Sequence, residues 1–174
     1  MAAQGSILGN AVTRKEDPGL LTGSNHYVDD LDIDAARIVF VRSTMAHASL
    51  LEVDISEAVN MPGVLAVYTS DNLEMPAVNQ SEFMDPSMNR PPLAVGRVRF
   101  VGDIIAAVVA ESHSQAVDAA EQVIVDYDPL PANADIEAAL ADDAHILWEG
   151  AENNVCFAIG NEYDGPDVTE GADT

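Results

Sequence analysis

The stretch from Arg97 to Tyr127 constrains the fold of this chain more than any other part of it. Two apolar runs, Arg97 to Phe100 and Ile104 to Ala110, flank Val101-Gly102-Asp103, a Gly-Asp turn signal, and so predict a hairpin whose second member is a central strand. Ser112 with Gln115 three residues on is a capping-box pattern, and Ala116, Ala119, Ala120 and Val123 then recur at i, i+3, i+4 and i+7. That spacing puts one apolar stripe of mostly small side chains along a helix, which packs closely on a sheet. Val123 to Tyr127 returns as a strand, and Pro129-Leu130-Pro131 ends it in extended conformation. A strand too apolar to face water and a capped helix with a narrow stripe imply an α+β domain, with short helices packed on a sheet.

The rest of the chain adds strands more than helices. Residues 1 to 36 hold no period for long and read as an extended segment. Arg37 to Ser43 and Ala48 to Ile55 are β-branched or partly alternating, and predict a strand pair joined by Thr44 to His47. Ser56 caps a short predicted helix through Ala58 and Val59, and Pro62-Gly63 stops it before Val64 to Thr69 resumes a strand, a βαβ-like unit. Residues 71 to 96 carry four prolines and no sustained period, which reads as a long surface loop. Asp135 caps a last short helix, Ile136 to Leu140, and from Trp148 onward Gly, Asn, Asp and Glu dominate. The organisation expected is an extended segment over 1–36, one domain over 37–147 and a linker over 148–174.

Composition narrows the function classes. Thirty Asp and Glu against seven Lys and Arg give a formal net charge of −23, a field that repels phosphate backbones and anionic membranes alike. The longest wholly apolar run, Ile104 to Ala110, is far short of the ~20 residues a membrane-spanning helix needs. The first residues, Met1 to Asn10, lack a basic region followed by an apolar stretch, so no secretory signal is read and a cytoplasmic location is expected. At 48% hydrophobic residues the chain still has enough apolar side chains to fold.

A search for chemistry finds little. Gly5 to Gly9 has the wrong spacing for a dinucleotide fingerprint, no phosphate-loop Gly-Lys-Ser or Gly-Lys-Thr occurs, and Lys15 is the only lysine. His26, His47, His113 and His145 are scattered, none at metal-pair spacing from another His or from Cys156, the single cysteine. His47, in Met45-Ala46-His47-Ala48, is expected to hydrogen-bond a turn carbonyl; a catalytic role beside acidic neighbours is the alternative. Carboxylates such as Asp29-Asp30, Asp126, Asp128 and Asp142-Asp143 are so frequent that their proximity carries no information about acid–base work. No catalytic, cofactor-binding or metal residue is assigned.

An ordered series of short motifs nonetheless resembles one family. It begins with Arg14-Lys15-Glu16-Asp17, Leu21-Thr22-Gly23, Tyr27 to Asp30, Arg42-Ser43 with Ala46-His47-Ala48, and Val53 to Ser56 before Pro62-Gly63-Val64. It continues with Pro92-Leu93, Val98-Arg99, Val101-Gly102, Val108 to Glu111, Ala116 with Ala119-Ala120-Glu121, Val125-Asp126-Tyr127 and Pro129-Leu130-Pro131. Together they resemble the α/β-hammerhead domain of the xanthine dehydrogenase, aldehyde oxidase and carbon monoxide dehydrogenase family. Thr44, Ile104 and Asn133 depart from that pattern, the first two where proline is common and the third where an apolar residue is typical.

The resemblance implies a single hammerhead domain, a mixed sheet with short helices packed on it, from the large subunit of a molybdenum hydroxylase. It implies a structural role with no catalysis by this chain alone. The cofactors implied for the full assembly are molybdopterin or molybdopterin cytosine dinucleotide, iron–sulfur clusters and FAD. The partners implied are the remainder of the molybdopterin-binding subunit and the iron–sulfur and FAD subunits. None of Gln4, Gln80, Gln115 or Gln122 precedes Phe-Gly, and no late Gly-x-Gly-Glu occurs, so the family's glutamine loop and catalytic glutamate are not matched. The residues after Trp148 resemble a truncated link toward the cofactor-binding region. The expected contact places are the Met-rich loop Asn72 to Met88 and that tail, with Met75, Phe83, Met84, Val155 and Phe157. A free-standing interaction module, or the remnant of a split gene, is the competing reading.

Overall fold

The structure, a computed structural model, describes residues 14–31, 33–77 and 84–157. They fall into two compact units divided between Ala35 and Ala36. The first contains helix α1 (Asp17–Thr22) and a 3-10 turn at Val28–Asp30, where the sequence reads as extended chain. Pro18 in the first turn and Gly23 just past the last are helix-boundary signals. The Arg14 N–H donates to the Asp17 carboxylate at 3.0 Å, and Gly23 (φ 70°) donates its own N–H to the Leu20 carbonyl. Six helical residues are too few for a 3.6-residue period to show.

The second unit carries strands β1 (Arg37–Arg42), β2 (Ala48–Asp54), β3 (Val64–Thr69), β4 (Arg97–Val98), β5 (Ile104–Ala110) and β6 (Ile124–Pro129). Helix α2 (His113–Ala120) lies between β5 and β6, and α3 (Ile136–Ala139) follows, capped by the Asp135 carboxylate on the Ala138 N–H. The α+β class holds, but the strands do not form one mixed sheet. They form two three-stranded sheets of order β1-β5-β3 and β4-β2-β6, with every pairing antiparallel.

Three local expectations change as a result. β5 is the central strand predicted, yet β1 occupies one of its edges and β3 the other, so no ladder is left for a hairpin with β4. β4 pairs with β2 instead, Ala48 opposite Val98. The Gly-Asp turn is present, with Gly102 at φ 91°, but it passes the chain from one sheet to the other. β1 and β2 likewise belong to different sheets. The end of β1 is tied to that turn: Ser43 donates to the Asp103 carbonyl and accepts from the Gly102 N–H, both at 2.8 Å. The segment after Ser56 is a 3-10 turn, Ala58–Asn60, between strands of separate sheets, so there is no βαβ unit.

α2 is as the sequence predicts. Ser112 Oγ accepts the Gln115 N–H and donates to its Oε1, closing the cap. Ala116 and Ala119 are fully buried against Val67, Val108 and Ala110 of the β5 sheet; their single methyl groups allow the helix axis close to the strands. Gly63 is favoured by its φ of 78°, and a Cβ there would also displace the Gln115 amide at the end of its side chain. A second buried cluster, Ala48, Ala94, Val98 and Ile105, lies nearer the β2 sheet, and Val53 and Val125 pack against both clusters, joining them into one core.

Candidate interaction surface

His47 is fully buried at 2% exposure, and its Nδ1 donates to the Pro131 carbonyl at 2.6 Å. The sequence reading expects a turn carbonyl; the acceptor is instead the Pro131 carbonyl, 84 residues along the chain in the segment that follows β6. A carbonyl only accepts, so Nδ1 carries a proton in this bond, and Nε2 is buried with no partner among the described residues. His145 lies beside it, ring centroids 5.2 Å apart, while His26 and His113 are exposed elsewhere. Among the described residues no group of three or more His, Cys, Asp or Glu is placed to hold a metal ion. Cys156 is a free, half-buried thiol, and Lys15 is exposed.

The segment after α3 is fastened by side-chain amides. Asn154 accepts the Leu147 N–H at 3.0 Å and donates to the Ala139 and His145 carbonyls, and Asn133 donates to the same His145 oxygen. Arg99 lies 4.0 Å over the Trp148 ring and donates to the Leu147 carbonyl; burial holds its guanidinium pKa below the ordinary value, helped by neighbouring Arg97 and opposed by Asp103 and Glu149. Arg97 pairs with Glu149. The Asp85 N–H reaches the Cys156 carbonyl at 2.9 Å, so the stretch through Cys156 is held to the domain. Of the side chains expected to make contacts, Met75, Val155 and Phe157 are exposed and Met84 is half-buried. Met88, at the end of that loop, is buried, and Phe83 lies outside the described residues.

The two sheets turn different outer faces away from the core. On the β2 sheet the outward row is Asp54 opposite Ile124, Glu52 opposite Asp126, and Ser49 opposite Asp128. Backbone and hydroxyl hydrogen bonds from Ser56 hold the Asp54 carboxyl below its ordinary value. On the β5 sheet the inward residues of β1 are Val39 and Val41, so Ile38 and Phe40 point out. Register places Ile38, Val109 and Ala66 in one outward row and Phe40, Ala107 and Tyr68 in the next. Ile38 is 51% exposed, Phe40 39% and Tyr68 38%. Arg42 closes this face beside Phe40, its guanidinium 5.6 Å from the ring and bonded to the Gly102 carbonyl. Sequence reading missed this patch, although its signal was present: β1 is apolar at every position between its two arginines.

The geometry of the described residues thus defines an α+β domain with two contrasting sheet faces. Comparison with known proteins then gives its family. Residues 22–131 match the family described as aldehyde oxidase and xanthine dehydrogenase, a/b hammerhead domain, and the chain belongs to that family. It is 37% identical over 149 residues to the 6-hydroxypseudooxynicotine dehydrogenase complex subunit gamma of Paenarthrobacter nicotinovorans, covering 80% of this chain and 19% of that one. It is 35% identical to the carbon monoxide dehydrogenase large chain of Afipia carboxidovorans, covering 84% of this chain and 18% of the other. Among solved structures it resembles aldehyde oxidoreductase from Desulfovibrio gigas with a TM-score of 0.68 and 31% identity, over 83% of this chain and 17% of that one. Quinoline 2-oxidoreductase from Pseudomonas putida 86 gives a TM-score of 0.63 and 39% identity, over 78% and 18%. The chain thus spans under a fifth of the length of these relatives. No helix among the described residues is long and apolar enough to cross a membrane.

Proposed function

We propose that this chain is the framing domain of a molybdenum hydroxylase large subunit and is catalytically silent by itself. The observation that carries this reading is the match itself: it falls on the hammerhead segment of the family, and that segment is under a fifth of the relatives' length. The chain's own residues support it, because its most buried polar groups have structural tasks. His47 holds the Pro131 carbonyl, and Asp103 accepts from the Arg99 N–H and pairs with Arg90.

In this reading the reaction belongs to the assembly, which inserts water-derived oxygen into aldehydes, purines or similar substrates, or oxidises carbon monoxide. Molybdopterin or its cytosine dinucleotide would be held by the remainder of the large subunit. Iron–sulfur and FAD partners would carry electrons away. Co-expression tests the role. This chain should co-purify with the Afipia carboxidovorans large chain from which the matching segment has been removed. Where the separate chains do not associate, the fused form, with this chain in place of that segment, should assemble. A folded domain that does neither at any salt concentration would favour a free-standing module or a remnant.

A further inference from the structure

We infer that the outer face of the β1-β5-β3 sheet, centred on Phe40 and Tyr68, is the surface by which this domain docks onto the rest of a molybdenum hydroxylase large subunit. This rests on the functional reading above and adds to it the face and the chemistry of its occupant.

Three observations support the assignment. The face is apolar in both rows, and Ala107, at 6% exposure, lies in register between Phe40 and Tyr68. Aromatic residues around a small central one suit the apolar centre of an interface, and Arg42 at the margin supplies a polar edge. Charge distribution is the second. The chain has 30 Asp and Glu, yet β1, β3 and β5 contain none, and they hold two of its seven basic residues, Arg37 and Arg42. The β2 sheet, which faces water, carries Glu52, Asp54, Asp126 and Asp128. The outward face of the β2 sheet is thus mostly acidic, with Ile124 its exposed apolar member, whereas the outward face of the β5 sheet carries no carboxylate and suits being covered. Third, Ile-Val-Phe-Val in β1 and Ile104 to Ala110 in β5 are continuous apolar runs, the pattern of strands buried on both sides, whereas α2 covers only one.

The occupant follows from charge and length. A second copy would bring two bodies of −23 together, which long-range repulsion opposes at low salt. More than four-fifths of each relative's length lies outside the segment this chain matches, and that remainder supplies a partner surface. It should present apolar side chains to Phe40 and Tyr68, with a carboxylate or backbone carbonyl near Arg42.

The test uses the complex described above, with the segment-deleted Afipia carboxidovorans large chain or the fused form as probe. Phe40→Glu and Tyr68→Glu should each weaken association by at least about tenfold while circular dichroism and the urea midpoint show the domain folded. Glu52→Lys and Asp126→Lys, on the other sheet, should leave association within about threefold. Hydroxyl-radical labelling of the unsubstituted chain gives a second readout that no folding defect can mimic: Phe40 and Tyr68 should be protected in the complex and labelled in the free domain. If the complex forms but neither ring is protected and neither substitution matters, the docking face lies elsewhere and the inference fails while the functional reading stands. If unsubstituted chain never associates in either format, the functional reading fails with it. If the free chain sediments as a dimer that Phe40→Glu dissociates, the occupant is a second copy.

Discussion

The two sheets have the same number of strands and the same antiparallel pairing, and they share one core, yet they meet the outside in opposite ways. The β2 sheet sets Glu52 directly across from Asp126, a like-charge pair tolerable only where water screens it. The β5 sheet sets Phe40 and Tyr68 on either side of a buried alanine. The acidity of this protein is therefore not a uniform coat. It stops at one sheet, and net charge alone conceals where.

Several substitutions would sharpen or break that contrast, and the largest effect should come from the core. Ile105 lies in the central strand at 1% exposure, so Ile105→Ala should cost about 2–5 kcal/mol in urea unfolding. Leu51→Ala, at an exposed position of the β2 sheet, should change stability by less than about 0.5 kcal/mol. Equal costs would mean that the two sheets do not divide inside from outside as described. Gly63→Ala should destabilise by about 1–2 kcal/mol, since an alanine there adopts a left-handed conformation and meets Gln115. The companion change Gln115→Ala should recover only the steric share.

Smaller effects test the acidic face. Glu52→Gln should raise stability by about 0.2–1 kcal/mol at low salt, by removing the repulsion across the β2–β6 ladder. The unsubstituted domain should melt at higher temperature in ~0.1 M sodium chloride than in dilute buffer, because the screening length falls to ~10 Å. A melting temperature that stays flat or falls would show the acidic groups to be better compensated than their number suggests. The least effect is expected at Asp54, whose carboxyl is held below its ordinary range by hydrogen bonds from Ser56. A depressed carboxyl contributes stability above its unfolded value and loses it as pH falls through the folded one. Asp54→Asn should therefore narrow the stability difference between pH 6 and about pH 3 slightly; an unchanged profile would remove Asp54 from the acid response.

How much of this was legible in the sequence depended on distance along the chain. α2 and the central strand were readable because cap, stripe and apolar run are local signals, whereas the acceptor of the His47 hydrogen bond, Pro131, lies 84 residues along the chain. The sheet partners were not. β5 looks like half of a hairpin with β4 until β1 and β3, both distant in sequence, occupy its two edges. Asn154 reads as a loop polar residue, yet it ties three backbone groups that only the folded chain brings together. The docking face escaped notice because Ile38 and Phe40 alternate with Val39 and Val41, so both faces of β1 are apolar and no period of two appears. α1 escaped notice for the opposite reason, its boundary signals being present around a helix too short to show a stripe.

If this domain frames chemistry carried out by the remainder of a large subunit, as proposed, then metal content and turnover of the chain purified alone are the decisive readouts. The purified chain should hold far less than one molybdenum per chain, show no iron or flavin absorbance, and not oxidise aldehydes, purines or carbon monoxide with an artificial electron acceptor. Molybdenum near one per chain, or hydroxylase turnover by this chain without a partner, would contradict the proposal.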